Sequence, residues 1–363
     1  ARDTTPPDDA GARTPEARPD PRLAARAGVD IVGAADRSGP AAQSPGQRPA
    51  GWRPWQGRLS HAPLDCAADT HALVCQLTNG TYEAVSPVDG KQLWTEGTPH
   101  AEGLGLDEAA VNVDGRFEVP GATLAPQSRG GRTVIGDADA LRLLDSASGK
   151  PRWKARTPHG KGMFTTRPVL TDSAVLAVVE SGNDSAGPAA TLAAFALTDG
   201  HLLWQQPLTA QPYAQISRQS RSVLAVRGHT AYANGDGERF VAVDLRDGKV
   251  LRRDADEPGN TVETTPARDL PSGMDRRTTR SLLIADHRLY VDHHRLVDQP
   301  LGFGAPARTM PVPGAPAERP SSDVDVSGSV VAEQARPPMV LALGGIAHIV
   351  YDQGALVSVE LPR

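Results

Sequence analysis

One short pattern recurs four times without gaps, and a chain that repeats itself in this way is committed to a repeat architecture. The copies are YEAVSPVDGKQLW (82–94), LRLLDSASGKPRW (141–153), AAFALTDGHLLW (193–204) and FVAVDLRDGKVLR (240–252). Their glycines align as Gly90, Gly149, Gly200 and Gly248. Four residues after each stand Trp94, Trp153, Trp204 and, in a degenerate copy, Arg252. Four residues before stand Ser86, Asp145, Ala196 and Asp244. Three of the five tryptophans of the chain therefore occupy one repeat position, which marks that position as structural.

The physics of the unit is that of a β-hairpin. An apolar, β-rich run ends in a polar turn whose Gly can take a positive φ and whose Asp can bond the turn's own amides. The Trp then falls on the returning strand. Burying about 150–250 Å² of indole at roughly 25 cal/mol per Å² contributes at most about 4–6 kcal/mol. A lone hairpin has nothing to bury it against, so the next repeat must supply the surface. A second signal lies upstream of each hairpin: THALVCQ (70–76), GGRTVIG (130–136), DSAVLAV (172–178), GHTAYAN (228–234), DHRLYVD (286–292) and GIAHIVYD (345–352). These runs alternate apolar and polar residues and read as the central strand of each blade. Their spacing, about 42 to 60 residues, suits four-stranded propeller blades with loop insertions.

The ends of the chain sharpen the expectation. The last repeat reads GALVSVELPR and stops where a turn glycine and Trp should follow, while Trp55-Gln-Gly-Arg-Leu59 resembles Trp204-Gln-Gln-Pro-Leu208. An N-terminal strand completing the last blade removes two exposed sheet edges at once. The expected fold is all-β: a closed β-propeller of four-stranded blades, with six legible repeats, six or seven blades, and eight possible. Residues 1–51 are expected to form a Pro/Ala/Arg-rich disordered tether, because eight prolines and fourteen charged residues leave too little apolar surface to offset ordering. Residues 52–363 are expected to form the propeller, with loop insertions near 256–279 and 299–321. The chain begins with Ala1 rather than Met, and the expectation is a processed protein or the piece that follows an upstream segment.

Composition agrees and excludes some functions. Gly 36 and Pro 32 with only 4% aromatic residues favour turns over long packed helices. A net charge of −5 supplies no electrostatic footprint for nucleic acid or an anionic membrane. No apolar run approaches the roughly 18 residues of a membrane span. Of 38 basic residues all but five are Arg, which suggests a high-GC bacterial source.

The repeat A-x-D-x-x-x-G-K-x-x-W, as carried by these segments, resembles that of the pyrroloquinoline-quinone-type propellers. That superfamily holds quinoprotein dehydrogenases and the non-enzymatic BamB-like assembly proteins. The likeness spans residues 52–363, with Ser86, Ala196 and Arg252 departing from the pattern. It implies the propeller rather than the cofactor. The same repeat forms the extracytoplasmic part of some actinobacterial Ser/Thr kinases, which implies a sensor role as one form of the family. These residues hold no Gly-rich loop with a VAIK-type lysine, no HRD and no DFG.

Candidate chemistry is sparse. Cys66 and Cys75 are the only cysteines and flank a short turn, so strands at 63–66 and 72–77 would set them opposite one another. A disulfide is the expected reading, with a buried reduced pair or a metal or redox role as alternatives. His287, His293 and His294 with Asp286 and Asp292 form one local cluster of metal-type ligands, of which one strand supplies too few for a site. Asp323, Asp325 and Ser327 imitate an EF-hand opening, yet the twelfth position is Gln334 and Glu333 falls one residue early. Quinoprotein dehydrogenases commonly stack their quinone on a Trp opposite adjacent cysteines and hold Ca²⁺ beside it, and no Cys-Cys dipeptide occurs here.

The function expected is therefore a non-enzymatic, extracytoplasmic, monomeric propeller without cofactor. It would recognise a protein, cell-wall or small-molecule ligand by its loop face or central channel. A dehydrogenase using pyrroloquinoline quinone with Ca²⁺ is the alternative.

Overall fold

The computed structural model describes residues 46, 48–99, 111–113, 116–118, 124–137, 139–158, 162–164, 168–180, 190–208, 223–234, 240–253, 282–284, 287–292, 294–300, 306–317 and 338–361. Their regular elements are β-strands, gathered into six antiparallel sheets of blade type and one short hairpin, Val111–Val113 with Arg116–Glu118. From the innermost strand outward, the first blade comprises Pro63–Ala68, Leu73–Leu77, Tyr82–Val85 and Gln92–Glu96. The second comprises Gln127–Arg129, Arg132–Gly136, Ala140–Asp145 and Pro151–Arg156. The third has Val169–Leu170 and Met163–Phe164 on one edge, then Ala174–Glu180, Ala190–Ala196 and Leu202–Pro207. The fourth comprises Val223–Arg227, Thr230–Asn234, Phe240–Asp244 and Val250–Arg253. The fifth comprises Leu282–Ile284, His287–Asp292, Arg295–Pro300 and Arg308–Pro311.

The sixth blade takes Met339–Leu343, Ile346–Val350 and Ala355–Glu360 from the C-terminal end of the chain and Trp55–Arg58 from the other. Trp55 pairs with Ser358 and Arg58 with Ala355. The join is reinforced by Trp52, whose indole donates to Ser358 Oγ at 2.8 Å, and by the Leu59 amide, which donates to Gly354 O at 2.8 Å. This is the N-terminal closure expected from the truncated last repeat.

Inner strands meet around the ring: Pro63–Ala68 packs against Met339–Leu343 and Gln127–Arg129, and Gln127–Arg129 against Val169–Leu170. The core is layered between blades rather than gathered at one centre. In the third blade, Val175, Ala177 and Val179 pack toward the second blade, and Leu176 and Val178 toward the fourth. This corrects the alternation expected for the central strands. Leu73–Leu77 and Ile346–Val350 are buried at every residue, because a blade between two neighbours has no solvent face. A second correction concerns 299–321, expected as a surface loop: Arg308–Pro311 within it is the fifth blade's outermost strand, which carries neither repeat glycine nor Trp. The insertion 256–279 lies outside the described residues.

Removing residues 46–60 would leave the sixth blade with three strands and strip Trp52, Trp55 and Leu59 from the core. At about 3–5 kcal/mol per buried Trp lost, the melting temperature should fall by about 10 °C or more in scanning calorimetry. A smaller change would mean that the ring does not depend on this strand.

Candidate functional site

The four repeat turns share one backbone. Gly90, Gly149, Gly200 and Gly248 have φ of 72°, 68°, 75° and 74°, the left-handed region that favours glycine. Each glycine amide donates to the carbonyl four residues earlier, on Ser86, Asp145, Ala196 and Asp244. In three of the turns the side chain four residues before the glycine braces the loop, and in the turn of Gly200 the Asp199 carboxylate accepts from His201 N at 3.1 Å instead. Asp145 Oδ1 accepts from Ser148 N at 3.1 Å, Asp244 Oδ1 from Arg246 N at 2.9 Å, and Ser86 Oγ from Val88 N at 3.3 Å. The Arg152 and Arg246 guanidiniums hold the Asp145 and Asp244 carboxyls below the usual carboxylate range.

Each Trp docks on the turn of the following blade, not on its own. The Trp55 indole donates to Pro87 O at 2.9 Å, Trp94 to Ser146 O at 2.8 Å, Trp153 to Leu197 O at 3.1 Å and Trp204 to Leu245 O at 2.9 Å. In every case the acceptor lies three residues before the turn glycine. A β-carbon added to Gly90, Gly149, Gly200 or Gly248 would come within 2.5, 2.7, 2.7 or 2.8 Å of the indole of Trp55, Trp94, Trp153 or Trp204. The glycine is thus required twice, for its dihedral and for the ring lying over it.

Two further buried groups join the first blade to the second, and sequence reasoning missed both. Asp69, at the turn between the first two strands, accepts from Gly131 N at 2.9 Å and Ser146 Oγ at 3.0 Å. It also accepts from its own turn amides, His71 N and Ala72 N. Beyond it a hydroxyl chain runs through Thr133 to Ser128. The Tyr82 hydroxyl lies 2.6 Å from the carbonyls of both Leu124 and Gly136. A signal for Asp69 existed: Thr171 caps the corresponding turn of the third blade, its hydroxyl accepting from Ser173 N and Ala174 N two and three residues on.

Cys66 and Cys75 are register partners and disulfide-bonded, with Cα atoms 4.1 Å apart. Both are fully buried on the face of the first blade that meets the sixth, among Leu59, Met339, Leu341, Val350 and Leu356. His287 Nδ1 lies 2.7 Å from Asp298 Oδ1 across the fifth blade. Asp292 is exposed at the opposite end of that strand, so the two do not converge. Asp286, His293 and the stretch with Asp323, Asp325, Ser327, Glu333 and Gln334 lie outside the described residues. Among the described residues no three His, Cys, Asp or Glu side chains gather as a metal set, and no helix is long and apolar enough to cross a membrane.

Six radially repeated sheets, five of four strands and one of five, docked through indoles and closed by a strand from the chain's other end, define a β-propeller of the pyrroloquinoline-quinone-like class. The sequence profile of the outer membrane protein assembly factor BamB family matches residues 69–290, and the chain belongs to that family. Among solved structures it is similar to BamB from Moraxella catarrhalis, at 13% identity and a TM-score of 0.35, over 84% of this chain and 72% of that one. It is also similar to the quinohemoprotein alcohol dehydrogenase of Comamonas testosteroni, at 14% identity and a TM-score of 0.41, over 80% of this chain and 53% of that one. No curated protein matches.

Gly149 and Gly130 separate the two demands on the turn glycine. Gly130 has φ of 58° and open space around its missing side chain, so Gly130→Ala should cost about 1–2 kcal/mol of backbone strain alone. Gly149→Ala also drives a methyl into Trp94 and should cost about 1–3 kcal/mol more. Chemical denaturation of both variants checks the difference, and equal losses would refute the docking role of the glycine.

Proposed function

We propose that this chain is a non-enzymatic, extracytoplasmic scaffold propeller that recognises a protein, cell-wall or small-molecule ligand through its loop face or channel. The observation that carries the reading is the use of its tryptophans. All five, at 52, 55, 94, 153 and 204, spend their indole N–H on acceptors within the ring. A quinone platform needs an indole face free beside paired cysteines. Here the two cysteines are nine residues apart and buried between blades, so the residues present do not fit pyrroloquinoline quinone.

The buried disulfide supports an oxidising compartment. Joined to a signalling domain, the same scaffold would act as its sensor part. We take the protein to be monomeric and to bind no nucleic acid, since its net charge of −5 offers no field for a polyanion.

Titration with pyrroloquinoline quinone and Ca²⁺, followed by quinone absorbance and a dye-linked alcohol or sugar dehydrogenase assay, tests the reading. The expected outcome is no saturable uptake and no turnover. Uptake at one equivalent with turnover would establish the dehydrogenase reading instead.

A further inference from the structure

The seam between the sixth and first blades is where the ring is closed by non-covalent contacts between the two ends of the chain, and a histidine is buried in it. His348 lies mid-strand in Ile346–Val350, with Leu341 and Ser358 as its register neighbours. It is 1% exposed, and neither ring nitrogen has a hydrogen-bond partner. Its ring stands 5.7 Å from that of Trp55, the closing strand's docking residue. No other histidine with a described side chain is fully buried.

The charged groups on the elements around it are engaged elsewhere. On Tyr82–Val85, Glu83 Oε2 accepts from Ser60 N at 2.9 Å and from Ser60 Oγ. On Pro63–Ala68, Asp65 Oδ1 accepts from Cys66 N at 2.7 Å. On Ala355–Glu360, Glu360 pairs with Arg48 at 3.3 Å, and on Trp55–Arg58, Arg58 is exposed. Met339–Leu343 and Leu73–Leu77 carry no ionisable group apart from the bonded Cys75. Tyr82 is held on the opposite face, against the second blade.

We propose that this seam is an acid-sensitive latch, in which protonation of His348 releases the Trp55–Arg58 strand and opens the ring between its last and first blades. An imidazolium here would have neither counter-charge nor water, whereas in the open form it would have both. Burial alone pushes the His348 pKa down to about 4, against an ordinary 6.5. The sign follows from linkage. Between those values the open form takes up a proton and the closed form does not, so the closed state is favoured above about 6.5 and loses ground as pH falls toward about 4. The open-to-closed ratio should rise about 50-fold between pH 7 and pH 4.5. The latch is independent of what the propeller binds.

The Cys66–Cys75 disulfide is a built-in reporter, because it is fully buried in the same seam. Reduction of the full chain by a phosphine reductant can be timed by alkylation and intact mass at pH 7 and 4.5, each rate normalised to the denatured protein at that pH. The wild type should accelerate by tens of fold at pH 4.5, with hydrogen exchange rising in the first and sixth blades but not in the third. His348→Phe should flatten the response, and His348→Gln does the same if the aromatic variant fails to fold. His229→Gln, at an exposed position, should behave as wild type. A flat wild-type response, an unchanged response in the His348 variants, or equal exchange in the third blade would each overturn the latch.

Discussion

An indole can lie flat on a turn and reach its carbonyl only if the turn carries no β-carbon on that side, and this steric condition organises the ring. Trp and Gly recur at fixed spacing along the chain, yet the partners belong to neighbouring blades, so each hairpin is completed by the one after it. The contact is both apolar and directional. The ring covers the glycine while the N–H satisfies a carbonyl that burial would otherwise leave unpaired. Four such contacts run from the sixth blade through the first to the fourth.

Beyond the fourth blade the device changes. Arg252 stands at the Trp position, paired with Ala242 as the tryptophans are with their own partners. The fifth and sixth blades are joined instead by an aliphatic cluster of Leu282, Leu289, Val291 and Leu296 with Val340, Ile349, Val357 and Val359, against which Tyr232 of the fourth blade packs. The first and sixth blades use both devices, with Trp55 on Gly90 above the layer that holds the disulfide. Closure therefore rests on a junction that uses both devices, while the chain's two ends are held to each other within the sixth blade by non-covalent pairing.

What was legible in the sequence followed from local rules. Turn chemistry exposed the glycines and aspartates, and the missing last hairpin pointed to Trp55 as its substitute. What was not legible was any contact set by the neighbouring blade. The pairing of Trp94 with Gly149, rather than with its own Gly90, leaves no trace in spacing, because the constant four-residue step joins each glycine to its own Trp while the step from each Trp to the next glycine varies. The reach of Asp69 and Tyr82 into the second blade carries no repeat signature, since among the described residues Gly131, Leu124 and Gly136 answer them only once around the ring. Arg308–Pro311 was hidden because an edge strand held by backbone pairing needs no particular side chain. His348 reads as a polar residue in an apolar run, and only the structure shows that its ring nitrogens meet no hydrogen-bond partner.

The docking geometry also explains leucines left in water on the outer wall. In the first blade Ala84 pairs with Trp94 and Val85 with Gln92, so Leu93 is an extra residue, a β-bulge. The same slip leaves Arg152, Leu203 and Leu251 unpaired in the second, third and fourth blades. Leu93, Leu203 and Leu251 are 40%, 45% and 55% exposed. Their exposure is a consequence of aiming the next side chain: the bulge rotates the strand so that residue four after the glycine faces the following blade. It also interrupts the outermost strand where an unbroken ladder would invite another sheet. One inserted residue thus serves the interior contact and protects the edge, and Arg152 shows that the outward position accepts a charge as readily as a leucine.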